Sequence, residues 1–115
     1  MSETVGDTFA ALDSQKAALR LLMMLYEHPQ GIRRMELKKK AHEQEIGGTA
    51  FYAALNILKD HELVIDIPWN QNGKRIIVTT LRFRGRKAAG ILYQLKEYLS
   101  TDEGLKTPRW DDTEN

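Results

Sequence analysis

The apolar positions change their spacing along the chain, and each change marks an element. From Ala17 to Leu25 they are almost continuous (Ala17, Ala18, Leu19, Leu21, Leu22, Met23, Met24, Leu25), a wider set than a one-sided surface helix needs. A side-chain oxygen of Asp13 or Ser14 can cap this first helix, which should run to about Tyr26–His28. Two of its faces are then buried. Ala18, Leu21, Leu22 and Leu25 point to the domain's own core, and Leu19, Met23 and Tyr26 are left for the N-terminal segment or a second subunit. The His28-Pro29-Gln30-Gly31 passage stops the helix, because the residue before proline is pushed out of the α region and Gly31 tolerates positive φ.

A second helix is expected from about Arg33 to Gln44, with Ile32, Met35, Leu37, Ala41 and Ile46 as its few inward groups and Arg33, Arg34, Lys38, Lys39 and Lys40 on the other side. Gly47-Gly48 should break it, and Thr49 is the natural cap of a third helix over 49–61. There Phe51, Ala54, Leu55 and Leu58 keep the i, i+3, i+4, i+7 spacing of an inward face, and Ala50, Tyr52, Ala53, Asn56 and Lys59 lie opposite.

After Glu62 the period falls to two. Leu63, Ile65 and Ile67 take one side of a strand, with Val64 and Asp66 on the other. Asn72-Gly73 favours a type I′ turn, from which Lys74–Thr80 returns with Ile76 and Val78 inward. A strict two-residue turn places Trp69 across from Ile76, although a wider loop from Trp69 to Lys74 fits the same letters. The helical period resumes over 84–99. Ala88, Leu92, Leu95 and Leu99 follow at spacings of four, three and four, extended by Ile91 and Tyr98, and Gly90 permits a close approach. The fold class is therefore mainly α with a small β-hairpin (α+β), and the chain divides into an acidic segment 1–13, a domain 14–100 and a flexible acidic tail 101–115 in which Leu105 and Trp110 could dock.

Charge sharpens this picture. The formal net charge is only +1, from 17 Lys and Arg against 16 Asp and Glu. The N-terminal segment carries Glu3, Asp7 and Asp13 and no base, and the tail carries five acids against Lys106 and Arg109, so each end is net −3. The body keeps the other 15 bases and 8 acids, a surplus of about +7, which is the electrostatic footprint of a nucleic-acid binder. The outward face of the third helix suits a major groove: Asn56 can pair with adenine, an Ala50 or Ala53 methyl can touch a thymine methyl, and Tyr52 and Lys59 can reach phosphates. Lys74 and Arg75 at the hairpin tip can hold phosphates or probe the minor groove. The plainer readings are a solvated charge run on the second helix and an edge-protecting pair on the hairpin.

Other chemistries lack residues. With no Cys there is no disulfide, thiolate metal site or cysteine nucleophile. His28, His42 and His61 have no metal-ligand spacing, Gly47-Gly48 is not a phosphate-binding loop, and paired carboxylates such as Glu43/Glu45 sit in polar stretches. No enzymatic activity, metal or cofactor is expected. The start of the chain has no signal-peptide pattern and no stretch is apolar enough for a membrane span, so the expected location is cytoplasmic.

Three passages resemble winged helix-turn-helix transcriptional regulators of the MarR and PadR type and their small archaeal relatives: HPQGIRRMEL, AALNILKDHELV and VTTLRFRGRKAAGILYQLKEYL. The resemblance covers about residues 14–100. It implies a dimeric regulator of double-stranded DNA, with the third helix (49–61) as recognition helix and the hairpin (63–80) as wing. Tyr52, Ala53 and Asn56 would then face bases, and Thr49 and Lys59 would touch phosphate. The dimer would form through the last helix (Ala88, Ile91, Leu92, Leu95, Tyr98, Leu99) and the spare face of the first (Leu19, Met23, Tyr26). Two features depart from the pattern: Arg33 stands where such regulators often have Ser or Thr, and the link from Ala41 to Thr49 is long. The alternative reading is a winged helix that serves as a protein-interaction module, with Trp69 as an exposed anchor.

Overall fold

The computed structural model of the protein describes residues 5–101. Five helices and a three-stranded antiparallel sheet follow in the order α1 (Val5–Ser14), α2 (Lys16–Tyr26), β1 (Ile32–Arg33), α3 (Arg34–Glu43), α4 (Gly48–Asp60), β2 (Val64–Gln71), β3 (Lys74–Leu81) and α5 (Phe83–Ser100). The strand order is β1-β3-β2. This is the mostly helical α+β fold, with a hairpin wing and a long last helix, that the alternation of periods predicts.

The core forms where the inward faces of α2, α3 and α4 meet the base of the wing. Leu21, Leu22, Leu25, Leu37, Phe51, Leu55, Leu58 and Leu63 are essentially excluded from solvent. Each such side chain contributes about 1.5–3 kcal/mol of transfer free energy.

Helix ends differ from expectation in an instructive way. Ser14 does not cap the second helix: it closes α1, its hydroxyl donating to the Ala11 carbonyl, and Gln15 begins α2 without a side-chain cap. The stretch read as an acidic extension is thus helical from Val5 and packs on α2 and α4. Nor does the Gly47-Gly48 pair end α3. Glu45 does so in the left-handed conformation (φ 66°), with Ile46 N–H donating to Ala41 O and Glu45 N–H to His42 O. The same double bond closes α4, where Glu62 (φ 62°) is followed by Leu63 N–H donating to Leu58 O and Glu62 N–H to Lys59 O. Both are Schellman ends carrying glutamate where glycine is usual. Gly47 is the N-cap residue of α4, and Thr49, expected as the cap, is the second residue of the helix.

The wing keeps the strict register, with Asn72 (φ 52°) and Gly73 (φ 77°) as its turn and Trp69 paired with Ile76. Its facing, however, is reversed. Cross-strand partners share a face. Val64 pairs with Leu81 and Asp66 with Thr79, and these four line the inner side, Thr79 at 0% exposure. Ile65, Ile67 and Trp69 pair with Thr80, Val78 and Ile76 on the outer side. So Ile76 and Val78 do not point into the core, and Ile65 and Ile67 are exposed. Asp66 can face inward because its charge is fully met there. The two-residue β1 adds Ile32 opposite Thr79 and Arg33 opposite Val78.

No helix among the described residues is long and apolar enough to cross a membrane. The tail from residue 102, with Leu105 and Trp110, lies outside the described residues.

Candidate nucleic-acid interface

The geometry of α3, α4 and the wing decides which bases of this cationic body are available. Lys38 projects from α3 over the Tyr52 ring of α4, its ammonium 4.9 Å from the ring centroid. This contact joins the basic side of α3 to the outward side of α4. Tyr52 is in turn held by an edge contact with buried Phe51, ring centroids 5.0 Å apart. Thr49 and Asn56 are exposed on α4, Ala53 is half-buried, and Ala50 is partly packed against the core. Lys39 is exposed on α3. Met35, expected inward, is instead exposed beside Lys38 and Lys39, where the three help to line a shallow depression.

Two of the expected phosphate ligands, both part-exposed, are engaged by a carboxylate of the protein itself. Asp66, its side chain 17% exposed, accepts from Lys59 Nζ at 3.0 Å and from Arg34 Nη1 at 3.2 Å, both at Oδ2. Its Oδ1 accepts from the Thr79 hydroxyl at 2.8 Å. One carboxylate of the wing thereby ties the start of α3 to the end of α4. The sequence carried a signal for it, an acid at an alternating position of an otherwise apolar strand.

At the far end of the wing Lys74 and Arg75, the first two residues of β3 after the turn, are exposed. Arg33 is exposed on β1 and its guanidinium donates to the Gln71 side chain, fixing it beside the wing's outer face. Other bases are structural. Arg84 donates to the His61 carbonyl at 3.0 Å and to the Thr8 hydroxyl at 2.9 Å, joining α5, α4 and α1. Arg86 donates to the Pro29 carbonyl, and Arg20 to the Gln44 carbonyl.

The residues expected at a subunit contact divide into two sets. Tyr26 is occupied by its own chain: its ring lies 5.2 Å from that of Tyr93 and covers Gly90. The Tyr93 hydroxyl donates to the Glu27 carboxylate, which, with burial, pushes Tyr93 up to about 12. Ala88 and Leu92 pack against the domain's own core, and Leu19 and Met23 are half-buried on α2. Ile91 (64% exposed), Leu95, Tyr98 and Leu99 form the part of the α5 stripe that this chain leaves exposed. Gly90 therefore admits Tyr26, while the closest approach is at Gly85, against the Leu63 backbone.

No protein-family profile and no curated protein matches this chain. Solved structures do. A Streptococcus transcriptional regulator superposes with a TM-score of 0.62 at 18% identity, covering 91% of this chain and 100% of the other. The protein smu.1704 from Streptococcus mutans UA159 gives 0.61 at 16% identity, over 76% of this chain and 87% of that one. A PadR-like transcription factor from Bacteroides fragilis gives 0.56 at 17% identity, over 76% and 90%. At such identities the likeness establishes the fold, which is that of PadR-like winged-helix regulators. Of the regulator types that the sequence resembles, the PadR type is thus represented among these structures.

Proposed function

We propose that this protein is a DNA-binding transcriptional regulator that acts as a homodimer, with α4 in the major groove and the wing along the backbone. The observation that carries the reading is the Lys38–Tyr52 contact, which brings the basic side of α3 and the outward side of α4 into one surface. On it Tyr52, Ala53 and Asn56 read base edges, while Lys38, Lys39 and Thr49 hold phosphates. Ala50, partly packed inward, contributes at most its methyl edge. Lys74 and Arg75 reach the neighbouring backbone or minor groove, and Arg33 flanks them. Two of the solved neighbours are named as transcription regulators, which supports the class.

The dimer part of the reading rests on α5. A small domain that leaves Ile91, Leu95, Tyr98 and Leu99 exposed along one helix has a surface suited to an isologous partner. A two-fold axis through that contact sets two recognition helices on half-sites about one helical turn apart. Selection of bound sequences from a random duplex library, with solution mass measured on the same sample, tests both parts. A palindrome enriched by a dimer supports the reading; no enrichment over input, or a monomer, refutes it.

One observation favours a second reading as a protein-interaction module. The outer face of the wing carries Ile65, Ile67, Trp69, Ile76 and Val78, with Trp69 58% exposed, and a cavity of about 360 Å³ opens between it and the Gln30–Arg33 segment. A DNA-binding wing does not require so apolar an outer face. Loss of a co-purifying partner in Trp69→Ala with duplex binding intact would assign this face to protein contact.

A further inference from the structure

Asp66 is a carboxylate set into the one surface that should be cationic. Its three bonds account for it structurally, with Thr79 on Oδ1 and the two cations converging on Oδ2. Both cations are half-exposed, their side chains 28% (Arg34) and 33% (Lys59) accessible, so they lie at the edge of the proposed interface rather than under it. A strand acid facing inward could equally have been an apolar residue against Leu81 and Val64. Here it lowers the charge offered by the α3–α4 surface.

We infer that Asp66 is a specificity-determining residue: it holds Arg34 and Lys59 back from the DNA backbone and so limits sequence-independent affinity. The inference rests on the DNA-binding reading above and deepens it. Phosphate contacts supply affinity without sequence information, and each adds about 0.9 to the slope of log affinity against log salt. Internal neutralisation of two cations therefore lowers the sequence-independent part of affinity, so that a larger share of the binding free energy at a read site comes from base contacts. The same carboxylate couples α3, α4 and β2, which fixes the recognition helix relative to the wing.

The test is the salt dependence of binding to a random-sequence duplex, measured by fluorescence anisotropy on the full chain. Asp66→Asn keeps an acceptor for Thr79 but no charge for the cations. It should bind the random duplex at least roughly tenfold more tightly near 0.1 M salt and steepen the dimer's slope by about two to four units. In the Asp66→Asn background, Arg34→Gln should reduce the dimer's slope by about two units, one per subunit; in the wild type it should reduce it by less than half of that. Arg34→Gln in the wild type changes a part-exposed side chain, so it also serves if Asp66→Asn folds poorly. A loss of about two units for Arg34→Gln in the wild type would show that Arg34 already reaches phosphate and would overturn the assignment. So would an Asp66→Asn slope equal to that of the wild type. Wild-type protein with no salt-dependent binding to any duplex refutes the DNA-binding reading itself, a result distinct from either of these.

Discussion

A Cβ placed on Gly85 would lie 2.0 Å from the carbonyl oxygen of Leu63, so α5 leaves the wing against backbone rather than against a side chain. Arg82 N–H donates to the same oxygen at 2.9 Å, which fixes both ends of the contact. Neither group can yield without moving the start of α5 or the end of α4. Gly85→Ala should therefore cost about 3 kcal/mol, the upper range for overpacking, seen as a fall in the urea midpoint. Gly90→Ala meets only the Tyr26 ring at 3.4–3.7 Å and should be near neutral or slightly stabilising.

The two glutamates that end α3 and α4 hold left-handed backbone without a glycine's freedom. Glu45→Gly and Glu62→Gly should each stabilise the domain by about 1 kcal/mol, less the entropy that glycine adds to the unfolded chain. Thermal unfolding checks this, and the two effects should add because the sites close different helices. Alanine at either site should give no such gain.

Tyr93 keeps its proton further into alkali than a free tyrosine, because its hydroxyl donates to Glu27, burial disfavours the phenolate and the Glu27 charge repels it. The folded state thus holds this proton more tightly than the unfolded state. The contribution is fully present below about pH 10 and is lost as pH rises toward about 12. Solvent keeps it small. Ultraviolet difference titration of wild type against Tyr93→Phe should show this phenolate appearing last, and Glu27→Gln should bring it back toward the ordinary range.

Trp69 is more than half exposed and is stabilised mainly by its cross-strand partner Ile76. Trp69→Ala should cost no more than about 1 kcal/mol. In a Trp110→Phe background, Trp69 is the sole tryptophan, and its emission should be red-shifted and readily quenched by acrylamide. Blue-shifted, protected emission would mean that another surface covers the wing in solution.

Much of this architecture is legible in the letters, for identifiable reasons. Phe51, Ala54, Leu55 and Leu58 have one consistent period and one destination, so α4 is read with its inward face correct. Asn72-Gly73 specifies its own turn, and hence the Trp69–Ile76 register. The facing of β2 is misread because periodicity counts apolar groups and cannot see partners: Ile65 and Ile67 outvote Asp66 until Arg34, Lys59 and Thr79 are brought to it from distant positions. The strand β1 is too short to leave a pattern. Within the candidate interface, the exposed Tyr52 and Asn56 follow from helical geometry. That Lys59 and Arg34 are engaged internally does not, since it depends on the packing of three elements around a single carboxylate. Met35 shows the limit of the pattern, since an apolar side chain on a helix suggests burial and this one is 65% exposed, while Tyr26, itself 38% exposed, lays its ring against Tyr93 and Gly90 of its own chain.

The central claim is that α3, α4 and the wing form one phosphate-binding, base-reading surface. The most direct test is the affinity of the full chain for duplex DNA as salt is varied, read by fluorescence anisotropy. With six or more phosphates neutralised by a dimer, affinity should fall on the order of a thousandfold between 50 and 200 mM salt, and Lys38→Gln and Arg75→Gln, each removing one contact per subunit, should each flatten the slope by about 1.8. Affinity that is independent of salt, or a slope that neither substitution changes, would contradict the account.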